Sequence, residues 1–260
     1  MVWGIGLLPF DKLPISQYWQ VLSYRTLSII FSFTMMWIFA PHSLKRFTLR
    51  IPIRRLGVAL LVLAFIIISS LINSSVATAT PSQIIAGICF TLFIGLDEEL
   101  FSRGLIFGIF ENFGTGIAVM ISSLHFGLLH LTNILWAGQS FSYTASQVLY
   151  AAAFGFLSAG LLIFSGSIWI PILLHTFADL PMQFITVSET THIVSGDANW
   201  ISTFARCLVY CAIGSFLLFK ASDHENSRWL KVMTKFGLVE PPKINQPLPE
   251  VGVVTGRSVA

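Results

Sequence analysis

The sequence predicts an all-α fold, a polytopic membrane bundle of about seven transmembrane helices. Three observations carry that expectation. The 260 residues are 55% hydrophobic and 10% charged, with a mean hydropathy of +0.78, whereas a soluble domain carries about 25% charged residues. Between Leu56 and Phe219 the only basic residues are Arg103 and Arg206, so the net charge of +3 describes flanks and loops and gives no support to nucleic-acid binding. Seven segments also approach the roughly 20 apolar residues that a spanning helix needs.

Those segments are 21–40, 56–73, 84–109, 115–134, 145–165, 168–187 and 202–220. The first starts near Val21, and Met1–Phe10 lacks a basic stretch, so no cleavable signal is expected. The loop after it carries Lys45, Arg46, Arg50, Arg54 and Arg55, which the positive-inside rule assigns to the cytoplasm. The N-terminus is then outside and, after seven spans, the C-terminus inside. The tail agrees, with Lys220, Arg228, Lys231, Lys235, Lys243 and Arg257. Loop 73–83 is uncharged and 188–200 holds only Glu189 and Asp197, as suits external loops. Residues 1–220 are read as the transmembrane domain, with its chemistry at about 84–187. Residues 221–260, with Pro241, Pro242, Pro247 and Pro249, read as a cytosolic tail, helical at most to Leu238 and then disordered. No internal repeat is visible, which argues against the inverted-repeat plan of many transporters. Cys89, Cys207 and Cys211 fall inside apolar segments and form no disulfide framework.

Within the third segment lies Asp97-Glu98-Glu99-Leu-Phe-Ser-Arg103. Ionisable groups at membrane depth mark functional sites. Glu99 and Arg103 stand i,i+4 with the acid first, the favourable order for a helical ion pair. Glu98 is turned about 100° from Glu99, so it faces something else, as a base or a metal ligand. Snorkelling at a cytoplasmic helix end is the alternative. Segment 84–96, however, spans only about 20 Å, which places the acids inside the cytoplasmic half of a hydrocarbon layer about 30 Å thick.

Partners come from two other segments. His130 follows Phe126 by four residues, so the ring screens the imidazole on the same face. His125 lies about 140° away and is at most an accessory. His175 and Asp179 also stand i,i+4, after Pro171 in the first turn of a helix. An acid there orients the imidazole, accepts a proton or shares a metal. The bland reading of each is a satisfied polar residue that glues helices together. Gly104 and Gly108 form a GxxxG that would let a histidine-bearing helix close on Glu98. By rise per residue Glu98 lies about 9 Å from the cytoplasmic face and His130 about 20 Å, a mismatch to be closed by tilt or a later helix start. There is no HExxH and no GxSxG. Asp197 sits in an external loop away from the other acids, and Asn73-Ser-Ser75 is too short a signal to weigh as a glycosylation acceptor.

Together, Glu98-Glu99-x-x-x-Arg103, Phe126-x-x-x-His130 and His175-x-x-x-Asp179 make the chain resemble the CPBP family, which includes type II CAAX prenyl endopeptidases and related bacterial membrane proteins. The resemblance covers about residues 84–187. It implies an intramembrane endopeptidase in which Glu98 and His130 activate water for attack on a peptide carbonyl. His175, with residue 179, would stabilise the oxyanion, and Glu99 and Arg103 would orient the others. Asp179 departs from the Asn frequent at that position. As a carboxylate it cannot donate to an oxyanion, so either it is protonated or it orients His175 alone. Zn would suit Glu98, His130 and His175 with water as fourth ligand, yet a metal-free glutamate mechanism is chemically adequate. The implied partner is a membrane-bound protein or peptide substrate, lipidated or not, in a bacterial plasma membrane. Rival readings are a proton- or ion-coupled transporter and a non-catalytic immunity or scaffold protein.

Overall fold

Thr80 and Pro81 start the helix that carries the acids. The Thr80 hydroxyl accepts the Gln83 N–H, and the Gln83 side chain accepts the Thr80 N–H in return, so both ends of a capping box are present. The computed structural model describes residues 15–71, 80–184 and 196–221. The expected tail, most of loop 188–200 and residues 73–79 of the second loop lie outside the described residues.

The described residues form helices and no strands. Helix α1 spans Ile15–Phe39 and leads through a 3₁₀ turn, Pro41–Arg46, to α2, Ile53–Leu71. Helix α3, Pro81–Glu99, continues without a break through a π-helical turn, Leu100–Ile106, into α4, Phe107–Glu111. After a turn at Gly114 (φ +120°) come α5, Thr115–Leu129, and α6, Thr132–Trp136. Helix α7, Phe141–Ser165, is capped at its start by the Ser140 hydroxyl and ends on Gly166 in the left-handed region (φ +75°). Helix α8, Trp169–Asp179, passes into a 3₁₀ turn, Leu180–Phe184, and α9 spans Trp200–Ala221.

Each of the seven expected segments coincides with a helical stretch. Among the described residues four are long and apolar enough to cross a membrane by themselves: Trp19–Phe39, Thr115–Leu135, Phe141–Ser165 and Trp200–Ala221. The chain is an integral membrane protein with a helical bundle fold. The segment read as 168–187 has only 11 α-helical residues before it tightens, and α3 carries three acids; both belong to the site rather than to the lipid-facing wall.

Helix α7 is the axis of the bundle, with far more of its residues buried than in α1 or α9. Its Ala151, Phe154, Leu157, Leu161 and Phe164 form one core with Leu63 and Ile66 of α2, Phe126 of α5 and Leu174 of α8. Ala159 and Leu162 join Met36, Phe107, Val119 and Ile172 in a second. The outer faces of α1 and α9 present Phe31, Trp37, Ile201 and Leu208 outward, as a lipid-facing surface requires.

The connections sort onto two sides. Arg46 pairs with Glu111 at 2.5 Å and His42 with the same carboxylate at 3.3 Å, while the Ser167 hydroxyl donates to Thr48 O and the Ile168 N–H to Arg46 O. The α1–α2, α4–α5 and α7–α8 connections therefore share one side. On the other, Ser140 donates to Gly196 O, and the Ala198 N–H donates to Ser142. This is the alternation that up-and-down spans demand.

Candidate active site

The three consecutive acids sit where α3 widens into its π-helical turn. Such single turns have poorer hydrogen-bond geometry than an α-helix and concentrate at functional sites. Nothing in the sequence pattern announced it. Asp97, Glu98 and Glu99 are 4%, 5% and 0% exposed and Arg103 is 0% exposed, so the snorkelling alternative does not hold.

The carboxylates share two arginines and one imidazole. Nη1 of Arg103 lies 3.1 Å from Oε1 of Glu99. The His175 Nδ1–H donates to that same oxygen at 3.0 Å. Nε2 of His175 faces Oε2 of Glu98 at 3.5 Å and Oδ2 of Asp179 at 3.4 Å. The remaining oxygen of Glu98, Oε1, accepts from Nη1 of Arg25 at 3.1 Å, and Arg25 also donates to Asp97 at 2.8 Å. Glu98 thus points away from Glu99 into the space between α1 and α8. Asp179, 39% exposed in its side chain, marks the open edge of an otherwise closed cluster.

An aromatic layer lies beneath. The Phe126 ring stands edge-on to His130 at 5.2 Å and to His175 at 5.6 Å between centroids, and Phe154 packs on His175 at 5.4 Å. The Arg103 guanidinium lies over the Phe126 face, 4.6 Å from its centroid. Its nitrogens make no hydrogen bond among the described residues, so the ring face and the Glu99 charge compensate its burial. His130 ends α5, and its Nδ1–H donates to Phe126 O at 2.9 Å, making Nε2 the basic nitrogen of the neutral ring. It lies within electrostatic reach of Asp179 and His175. The structure therefore joins Glu98, Glu99, Arg103, His175 and Asp179 in direct contact, and it sets His130 against the same Phe126 ring.

The expected depth mismatch disappears. Thirteen residues separate Glu98 from the end of α4 at Glu111, and fifteen separate His130 from Thr115; at 1.5 Å per residue both lie about 20 Å from the shared turn. The helices are drawn together by glycines other than those expected. Gly104 and Gly108 face chiefly Met36, Ala40 and Ser43 of α1 and the following turn, and only Ile168, at the start of α8, comes near Gly104 from a histidine-bearing segment, at 3.7 Å. The α3–α8 approach is made at Gly95, where a Cβ would meet Ile172 O and Thr176 Oγ1 at 3.0 Å. The α5–α7 approach is made at Gly127 and Gly155. His125 packs on Phe101 at 5.4 Å and borders an apolar groove of about 390 Å³ with Leu124 and Leu128.

The set expected for zinc does not fit. Among the described residues no group of three or more His, Cys, Asp or Glu side chains is placed to hold a metal ion.

Sequence reasoning missed Arg25. A lone arginine inside the apolar run of α1 was a readable signal, because such a charge demands an internal partner.

A multi-helix membrane bundle with a buried acid–imidazole cluster is thus the class the fold and site define. Residues 80–181 match the family model described as type II CAAX prenyl endopeptidase Rce1-like. That segment contains all three motifs, and over it the chain is similar to CAAX-type membrane endopeptidases. No curated protein and no solved structure matches the chain.

Proposed function

We propose that the protein is a multi-pass, glutamate-dependent intramembrane endopeptidase that cleaves membrane-bound proteins or peptides, lipidated or not. The observation that carries this is the placing of one buried carboxylate, Glu98, against His175 and Asp179 at the cluster's open edge. In the reaction, Glu98 accepts a proton from water as the oxygen attacks the scissile carbonyl, then delivers it to the leaving amine. Nε2 of His130 orients that water. The imidazolium of His175, with Nδ1–H held by Glu99, offers Nε2–H to the developing oxyanion. Asp179 orients His175 from the following turn, a role that does not ask the carboxylate to donate and is supported by the 3.4 Å contact of its Oδ2 with Nε2 of His175. Glu99 and Arg103 hold the geometry. No step requires a metal.

We read the α1–α2 connection as cytoplasmic, a reading supported by the five cations of residues 45–55, with the N-terminus outside a bacterial plasma membrane and the site reached from the cytosol or the bilayer. The test is cleavage of a quenched membrane peptide by purified wild type, Glu98→Ala and His130→Ala. Loss in both variants is expected; equal background cleavage in all three would discard the reading.

A further inference from the structure

The segment that matches the endopeptidase family holds three consecutive buried acids but only one arginine, Arg103, which serves Glu99. The second arginine comes from outside it. Arg25 of α1 is 5% exposed, and its Nη1 donates to both Oδ2 of Asp97 and Oε1 of Glu98. One nitrogen with two hydrogens therefore bridges the neighbouring carboxylates. We propose that Arg25 is a positioning residue for the reaction at Glu98, anchored by Asp97 so that one Glu98 oxygen is fixed and the other is presented to His175 and the reacting water. This rests on the reading of Glu98 as the base.

The geometry favours this over simple charge balance. Balance alone asks only for a cation near the cluster, and the shorter contact to Asp97 at 2.8 Å already supplies an ion pair. The second bond, at 3.1 Å, acts on the functional carboxylate itself. It engages Oε1, whereas His175 faces Oε2. A carboxylate gripped at one oxygen by a buried guanidinium loses its rotation about the last side-chain bond, which is the freedom that must vanish before a proton can be taken along a fixed line. Asp97 has the complementary task. It lies on the same helix turn as Glu98, so it ties Arg25 to the frame that Glu98 itself rides on. The site is consequently incomplete without α1.

The experiment uses the full chain in lipid nanodiscs, with cleavage of a quenched membrane peptide and the thermal midpoint read side by side. Arg25→Gln is expected to lower kcat by about 100-fold while KM changes less than about threefold, the pattern of an interaction realised in the transition state. Arg25→Lys is expected to recover about tenfold of that loss, because an ammonium offers several N–H groups on a shorter stem. The double variant Arg25→Gln/Asp97→Asn removes the stranded Asp97 charge, so its midpoint is expected at the wild-type value while kcat stays down by about 100-fold. A double variant with kcat within about threefold of wild type would show that Arg25 only neutralises Asp97, and the proposal would fall. Absence of cleavage by the wild type would instead overturn the endopeptidase reading on which it rests.

Discussion

Oε1 of Glu99 is shared by two side chains from different helices, with Nδ1 of His175 at 3.0 Å and Nη1 of Arg103 at 3.1 Å. The second glutamate of the pair is therefore the joint between α3 and α8. That frees the first. Glu98 contacts the other ring nitrogen of His175 and is the carboxylate nearer the open edge at Asp179. Adjacent, chemically identical residues thus receive separate tasks from the roughly 100° step between neighbours on a helix.

Replacing Glu98 by Gln keeps the size and removes the base. Cleavage is expected to fall by about 10²- to 10⁴-fold, the range for loss of a general base, with thermal stability equal to or above wild type because a buried charge is removed. Peptide cleavage and a melting curve on the same preparation check both parts. Wild-type kcat in Glu98→Gln contradicts the assignment.

Glu99→Gln is expected to behave in the opposite way. It takes from Arg103, 0% exposed, the carboxylate it contacts at 3.1 Å, and breaking a buried pair from one side costs about 3–5 kcal/mol. Activity should fall as well, since His175 loses its orienting carboxylate. Denaturation in detergent measures the first effect. A stability loss under about 1 kcal/mol, the size of an exposed pair, would mean that Glu99 is not the joint.

Much of this arrangement was legible in the sequence because it depends on spacing. The i,i+4 pairs Glu99–Arg103 and His175–Asp179 and the Phe126–His130 stack follow from helical period alone, and they appear at 3.1 Å, 3.4 Å and 5.2 Å. What was not legible depends on which helices touch. GxxxG at 104 and 108 is a true close-approach motif, but nothing local says that its partner is Met36 on α1 rather than a histidine helix. Arg25 was hidden for the same reason, since its partners lie 72 and 73 residues away. The π-helical turn was hidden because a single extra residue per turn leaves the apolar pattern of α3 unchanged. Depth was misjudged because hydropathy marks where lipid ends, not where a helix ends, and α4 runs on to Glu111.

The glycines that do approach the site give a graded test. An alanine Cβ at Gly127 would meet Val148 O at 2.6 Å and Ala152 N at 3.0 Å, both backbone atoms of α7. At Gly104 the closest atom is the end of a flexible side chain, Sδ of Met36, at 2.8 Å. Overpacking costs about 1–3 kcal/mol when neighbours cannot yield. Gly127→Ala is expected in that range, with reduced activity because α5 carries Phe126 and His130. Gly104→Ala should cost less than about 1 kcal/mol, since Met adapts its shape readily. Melting curves of both variants rank them, and the reverse order would argue against the α5–α7 crossing.

Metal removal separates the two mechanisms raised by the sequence. Oε2 of Glu98 and Nε2 of His175 stand 3.5 Å apart, and among the described residues no group of three or more His, Cys, Asp or Glu side chains is placed to hold a metal ion. Exhaustive chelation, followed by elemental analysis, is expected to leave cleavage unchanged at no bound zinc. Activity lost on chelation and restored by zinc would make a metal the activator of the attacking water, and it would replace the mechanism proposed above.

Asp179 decides whether that position supplies charge or shape. Its Oδ2 lies 3.4 Å from Nε2 of His175, and its side chain is 39% exposed, so the pair is screened and contributes under about 1 kcal/mol to stability. If its task is to orient the imidazole, Asn does it with the same outline through its amide oxygen and adds an N–H able to donate to an oxyanion. Asp179→Asn is therefore expected to retain kcat within about tenfold of wild type, whereas Asp179→Ala, which offers neither contact, should lose about 100-fold. Equal loss in both variants would mean that the carboxylate itself exchanges the proton. The role of base would then pass from Glu98 on α3 to the acid one turn beyond His175 on α8.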